Sequence, residues 1–137
     1  EATSCDIVSA VTGSAEPVVF KSQIKPGTHL NMVGAHSPST RETEGALVGA
    51  SSVYVDFYES ARNEAGDLLI AEQEGHFKLT DIVGEIGEVV SGAKPARQSE
   101  DEITLYKSLG VVGQDLFAAE LVYRLAAAQD IGTLVDL

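Results

Sequence analysis

His36 lies in the small, polar run Gly34-Ala-His-Ser-Pro-Ser-Thr40, and of all the side chains in this chain its type best suits proton transfer. Imidazole changes charge near neutrality, so a histidine held beside a ligand can act as general acid or base. The plainer reading of the same residue is an ordinary solvent-exposed loop histidine. His29 at a strand start and His76 in a polar connection share no ligand spacing with it, and the single Cys5 completes no set, so no metal site is predicted. Lys107 and Ser108 stand where a hydrophobic run gives way to a loop. Asp56 and Glu59 read as strand-end polar groups rather than a carboxylate pair, and Glu85 and Glu88 as a solvated helix face.

These residues need elements to position them. His29 to Gly34 reads as a strand, because Leu30, Met32 and Val33 fall between the turn signal Lys25-Pro26-Gly27 and a breaker run, without helical period. Cys5 to Val11 is a β-branched run ending at Thr12-Gly13-Ser14, a second strand with a loop at its carboxyl end, and Val18 to Phe20 is a short strand or an extended connection. A helix is predicted from Ser39 or Thr40 to Val48 with Glu42 as capping partner. Val53 to Phe57 is the strongest strand by propensity. Ser60 to Ala65, capped by Ser60 and closed by Gly66, and Asp67 to Gln73 follow as short helices. Thr80 to Val90 carries Ile82, Val83, Ile86, Val89 and Val90 at helical spacing. Ile103 to Leu109 is the last strand. Gly113 to Ala128 is a long helix, apolar almost all round, which predicts burial on more than one side.

Strands alternating with helices predict an α/β fold, with a mainly parallel sheet of about four strands and helices on both faces. In such sheets ligands sit beyond the carboxyl ends of the strands, which places the loop Gly34 to Thr40 at the candidate crevice. At 137 residues the chain suits one domain with a real core. Its 21 acidic against 9 basic residues, net charge −12, leave no basic cluster for nucleic acid or an anionic membrane. A lone Cys5, read as a reduced core residue, and the lack of a visible secretory signal predict a cytoplasmic protein. Neither a Gly-x-Gly-x-x-Gly turn nor a phosphate loop is present.

Three blocks carry a resemblance: Pro26-Gly-Thr-His-Leu-Asn-Met-Val-Gly-Ala-His-Ser-Pro38 with Arg41-Glu42, Asp81-Ile-Val-Gly-Glu-Ile-Gly-Glu-Val-Val-Ser-Gly92, and Asp101-Glu-Ile-Thr-Leu-Tyr-Lys-Ser-Leu-Gly110. Together, and with the end Ile131-Gly-Thr-Leu-Val-Asp-Leu137, they resemble the ornithine cyclodeaminase and mu-crystallin family. Members of that family are considerably longer. The resemblance implies the carboxyl-terminal portion of a Rossmann-like fold binding NAD or NADP, without the glycine-rich turn and without the amino-terminal dimerisation domain that supplies substrate-binding Arg and Lys residues. It implies cofactor-side positions at Thr12, Val33, Gly34, Lys107 and Ser108. In the cyclodeaminases an Asp in the loop after Val-Gly assists catalysis; here that position holds His36, as in other family branches, which weighs against cyclodeaminase chemistry.

The expectation is therefore a single truncated Rossmann-like domain over residues 1–137 that binds no dinucleotide by itself and is not catalytically competent alone. Two functions follow from different classes. One is half of an NAD(P)-dependent cyclodeaminase or imino-acid reductase, completed by an upstream segment or another chain. The other is a non-catalytic module that self-associates or binds a small-molecule ligand. In either case the strand Cys5 to Val11 becomes an exposed edge, and a homodimer or higher homo-oligomer is expected to cover it or the apolar helix faces.

Overall fold

The computed structural model describes residues 2–133 and 135; Glu1 and, in the carboxyl-terminal block, Leu134, Asp136 and Leu137 lie outside the described residues. Its frame is a five-stranded parallel sheet of β1 (Ile7–Ala10), β2 (His29–Met32), β3 (Ser52–Val55), β4 (Gly84–Glu85) and β5 (Thr104–Lys107), ordered β1-β2-β5-β3-β4. The helices are α1 (Gly45–Val48), α2 (Tyr58–Glu64), α3 (Gly66–Gln73), α4 (Ile86–Val90) and α5 (Val112–Ala128). The α/β, Rossmann-like architecture is as the sequence predicts, with one strand more.

Side chains alternate across each strand, so register decides what is buried. Val8, Leu30, Leu105 and Val53 align in one row and Ala10, Met32, Lys107 and Val55 in the next, all on one face. Leu47 and Val48 of α1 and Leu68 and Ala71 of α3 join them in a single core cluster. Each such leucine, valine or methionine contributes about 1.5–3 kcal/mol by leaving water. The opposite face carries the row Ser9, Asn31, Tyr106 and Tyr54. There α4 and the segment around Arg97 cover only the side nearer β3, and Ile7 on β1 remains 64% exposed. A hydrogen-bonded chain crosses this face: Arg97 donates to Thr104 Oγ1 (2.9 Å), His29 bonds Thr104 Oγ1 (2.7 Å) and Asn31 Oδ1 (3.1 Å), and Asn31 donates to Ser9 Oγ (3.2 Å).

Several elements differ from expectation, each for a visible reason. The run Thr80 to Val90 is not one helix. Val83 N donates to the Val53 carbonyl (2.9 Å), and Gly84 and Glu85 pair with Tyr54 and Val55 as β4 before α4 begins. Glu85 and Glu88 are caps rather than a solvated face: Glu85 accepts from Tyr58 N (2.8 Å) at the start of α2, and Glu88 accepts from Glu85 N (2.9 Å) and the Tyr58 hydroxyl (2.8 Å). Ser60 is inside α2, not its cap, and Gly66 begins α3 instead of ending α2; glycine is needed there because a β-carbon would strike the Ser37 and Thr40 carbonyl oxygens. The helix expected from Ser39 starts only at Gly45, since the Glu42 and Thr43 N–H groups are taken by a side chain of α3. Val18 to Phe20 is an extended connection joined to Thr43 by one bridge.

Cys5 is exposed and precedes β1, so it is not a core residue. No residue of α5 is buried; Leu116, Phe117, Leu121, Val122 and Leu125 are all more than half exposed, and the burial that its composition predicts is not provided by the described residues. Among the described residues no helix is long and apolar enough to cross a membrane.

Candidate functional site

Because every pair in the sheet is parallel and Ala10, Met32, Lys107 and Val55 lie in one row, the loops that leave these strands emerge along one edge. Thr12, Val33, Gly34, His36, Asp56 and Ser108 all stand in those loops, beyond the carboxyl ends of β1, β2, β3 and β5. That edge is where parallel sheets present their ligand crevice.

Glu42 binds the first two loops to each other. The residue is fully buried, and its two carboxylate oxygens accept from Thr12 N (2.5 Å) and Gly34 N (2.6 Å). The approach is so close that a β-carbon on Gly34 would collide with the Thr12 carbonyl oxygen and a Glu42 carboxylate oxygen, so the position requires glycine. Behind Glu42 stands Asp67, also fully buried. Its Oδ1 accepts from Glu42 N (2.7 Å), Thr43 N (2.9 Å) and the Thr43 hydroxyl (2.7 Å). Its Oδ2 faces Lys107 Nζ at 3.2 Å, an ion-pair contact without hydrogen-bond geometry, while that ammonium donates to the Ala35 carbonyl (2.5 Å).

Asp56 does the equivalent work for the third loop. Its Oδ2 accepts from Leu109 N and Gly110 N (both 2.7 Å) and from the Ser108 hydroxyl (3.3 Å), and its Oδ1 from Phe57 N (2.9 Å). Two carboxylates thus fasten the crevice loops from beneath.

Lys107, expected on the cofactor side, is not available to a ligand through its side chain. It follows Leu105 by two residues, shares that residue's face of β5 and is fully buried with Asp67. The other expected positions are accessible in varying degree: Thr12 and His36 are exposed, Val33 is 39% exposed, and Gly34 and Ser108 are half-buried. His36 Nδ1 lies 2.9 Å from the Gly34 carbonyl. A carbonyl only accepts, so Nδ1 is the donor in this contact. Glu42, Asp67 and the loop-fastening part played by Asp56 escape sequence reasoning, although the Leu105/Lys107 alternation was a usable signal for a buried ammonium needing an acid. A separate groove of about 420 Å³, lined by His29, Asn31, Tyr54, Ile86, Arg97 and Tyr106 among others, lies on the partly covered face, away from the strand ends.

A family model described as ornithine cyclodeaminase/mu-crystallin matches residues 1–130. The chain belongs to this family. Ketimine reductase mu-crystallin of Mus musculus is 43% identical over 121 residues, which is 88% of this chain and 36% of that protein. The structure of Thermococcus litoralis Delta(1)-pyrroline-2-carboxylate reductase in complex with NADH and L-proline is similar with a TM-score of 0.87 at 37% identity, covering 98% of this chain and 42% of that one. An archaeal alanine dehydrogenase dimer with bound NAD is similar with a TM-score of 0.82 at 32% identity, covering 97% and 41%. The chain therefore spans about two fifths of the length of the family members it matches.

Proposed function

We propose that residues 1–137 form one Rossmann-like domain that supplies the nicotinamide-side wall of an NAD(P)-dependent imino-acid or ketimine reductase, inactive until joined to a glycine-rich dinucleotide half. The observation that carries this reading is the shared edge: Thr12, Val33, Gly34 and Ser108 all follow the carboxyl ends of parallel strands, in a family whose similar members include a reductase with bound NADH and an alanine dehydrogenase with bound NAD. The residues present fit part of a dinucleotide. Val33 offers exposed apolar surface and Thr12 and Ser108 offer hydroxyls, but this chain has no glycine-rich turn to cradle a pyrophosphate. When bound, the reduced nicotinamide supplies a hydride to the C=N carbon. In this reading His36, in an exposed loop with Nδ1 bonded to the Gly34 carbonyl, gives a proton from Nε2 to the substrate nitrogen as the hydride reaches carbon, and is reprotonated from solvent. A homodimer, as in the alanine dehydrogenase, is part of the same proposal.

The test compares the 137-residue chain with the same chain joined behind the amino-terminal part of the Thermococcus reductase. The chain alone is expected to bind NADH weakly or not at all by titration calorimetry, and the joined protein to oxidise NADH when given Delta(1)-pyrroline-2-carboxylate. A joined protein that is folded and binds NADH but turns over no cyclic imine refutes the reductase reading. Tight NADH binding by the chain alone refutes the need for a second half.

A further inference from the structure

We infer that Glu42 is a positioning residue: its buried carboxylate fixes the separation of the Thr12 and Gly34 loops and so sets the orientation of the dinucleotide lying against them. The inference rests on the reductase reading above and adds to it a residue that touches neither cofactor nor substrate.

At the last rung of the sheet, Val33 N still donates to the Ala10 carbonyl (3.0 Å), and beyond that rung the regular pairing of β1 and β2 ends. Past this point Glu42 holds them together. Two N–H donors converge on it, one from each loop, and a carboxylate alone among side chains of this length offers an acceptor oxygen to both. Glutamine is isosteric but would turn an NH2 toward one of the two donors. The clamp is anchored at its own backbone, since Glu42 N and Thr43 N both donate to Asp67, and Asp67 is held in turn against Lys107. Lys107 is itself on β5 and bonds Ala35, one residue beyond Gly34. Glu42 is thus referenced to the sheet through a closed circuit: β5, Lys107, Asp67, Glu42, then the ends of β1 and β2. Gly34 leaves no room for adjustment from the other side. A carboxylate with no exposure, whose partners are all backbone groups of two crevice loops, is arranged to set a distance.

Two measurements test this. In the 137-residue chain, amide hydrogen exchange is followed at Thr12 and Gly34; in the joined protein, kcat and KM for NADH are measured. Glu42→Gln is expected to lose protection at those two amides while the core strands stay protected, and to lower kcat/KM by about 100-fold, the effect of displacing a bound reactant by about an ångström. Gly34→Ala, whose β-carbon would push against both the Thr12 carbonyl and the Glu42 carboxylate while leaving residue 42 a glutamate, is expected to give the same kinetic loss. Glu74→Gln, which removes only the negative charge facing Arg41 on the same loop, is expected to change neither. Unchanged protection in Glu42→Gln overturns the inference, as does lost protection with unchanged kinetics. If both Glu42→Gln and Gly34→Ala fail to fold, the cluster serves stability and the inference also falls. Inactivity of the unsubstituted joined protein strikes the reductase reading alone, because exchange in the 137-residue chain decides the clamp independently.

Discussion

Replacing Asp67 by asparagine isolates the buried ion pair. The introduced amide keeps an acceptor oxygen for Glu42 N, Thr43 N and the Thr43 hydroxyl, but turns an NH2 toward Lys107 Nζ, 3.2 Å from the lost oxygen. The ammonium then has only the Ala35 carbonyl and no exposure to water. Removing one partner of such a pair destabilises by about 3–5 kcal/mol, because the remaining charge is left uncompensated. Against a total stability of roughly 5–15 kcal/mol, that is a large fraction. For a domain of this size it corresponds to a fall in Tm of about 10–20 °C. Urea unfolding followed by circular dichroism should show the midpoint falling with little change in slope. Lys107→Met leaves Asp67 with three donors, so its loss should be smaller, and the double variant Asp67→Asn/Lys107→Met should recover part of the Asp67→Asn loss by removing the stranded ammonium. An Asp67→Asn protein within about 1 kcal/mol of the parent would refute the reasoning, since it would mean the pair is worth no more than a surface one.

Other outcomes follow from single features. The Glu85 N–H and then the Tyr58 hydroxyl hold the Glu88 carboxyl below its ordinary value of 4.5, so the stability it adds is complete above that value and lost as pH falls through the lower, folded one. Glu88→Gln should therefore flatten the acid limb of Tm against pH; an unchanged limb counts against the cap. Gly66→Ala should destabilise by about 1–3 kcal/mol through its clash with the Ser37 and Thr40 carbonyls, and a neutral result in urea would show that the loop can yield. Light scattering after size exclusion should give a mass above 14.4 kDa, and Phe117→Lys with Leu121→Lys should lower it; a 14.4 kDa parent species would show that α5 does not drive association.

The strands were legible because their information is local. Leu30 and Met32, Val53 and Val55, and Leu105 announce β2, β3 and β5 by run and alternation, and the turn at Lys25-Pro26-Gly27 marks where β2 follows. β4 was hidden because Ile82, Val83, Ile86 and Val89 satisfy a helical period while Gly84 and Glu85 are recruited by a strand distant in sequence. Glu42 was misread for a related reason. Its spacing from Ser39 suits a capping box, but its donors are 8 and 30 residues away, and no local pattern encodes that. The candidate edge was readable from topology, since it needs only the carboxyl ends of parallel strands. What fastens that edge was not, because Asp56, Asp67 and Lys107 acquire their partners only on folding.

The half-covered sheet face has a spectroscopic consequence. The chain has no tryptophan and four tyrosines, of which Tyr54 and Tyr106 line the groove on that face and Tyr123 projects from the exposed α5. Ultraviolet emission from the chain is therefore tyrosine emission, and Tyr123 contributes to it from a surface that the described residues leave open. Any chain that covers either surface announces itself without a label: a partner containing tryptophan by energy transfer out of the tyrosines, and a second copy by a change in tyrosine anisotropy on dilution.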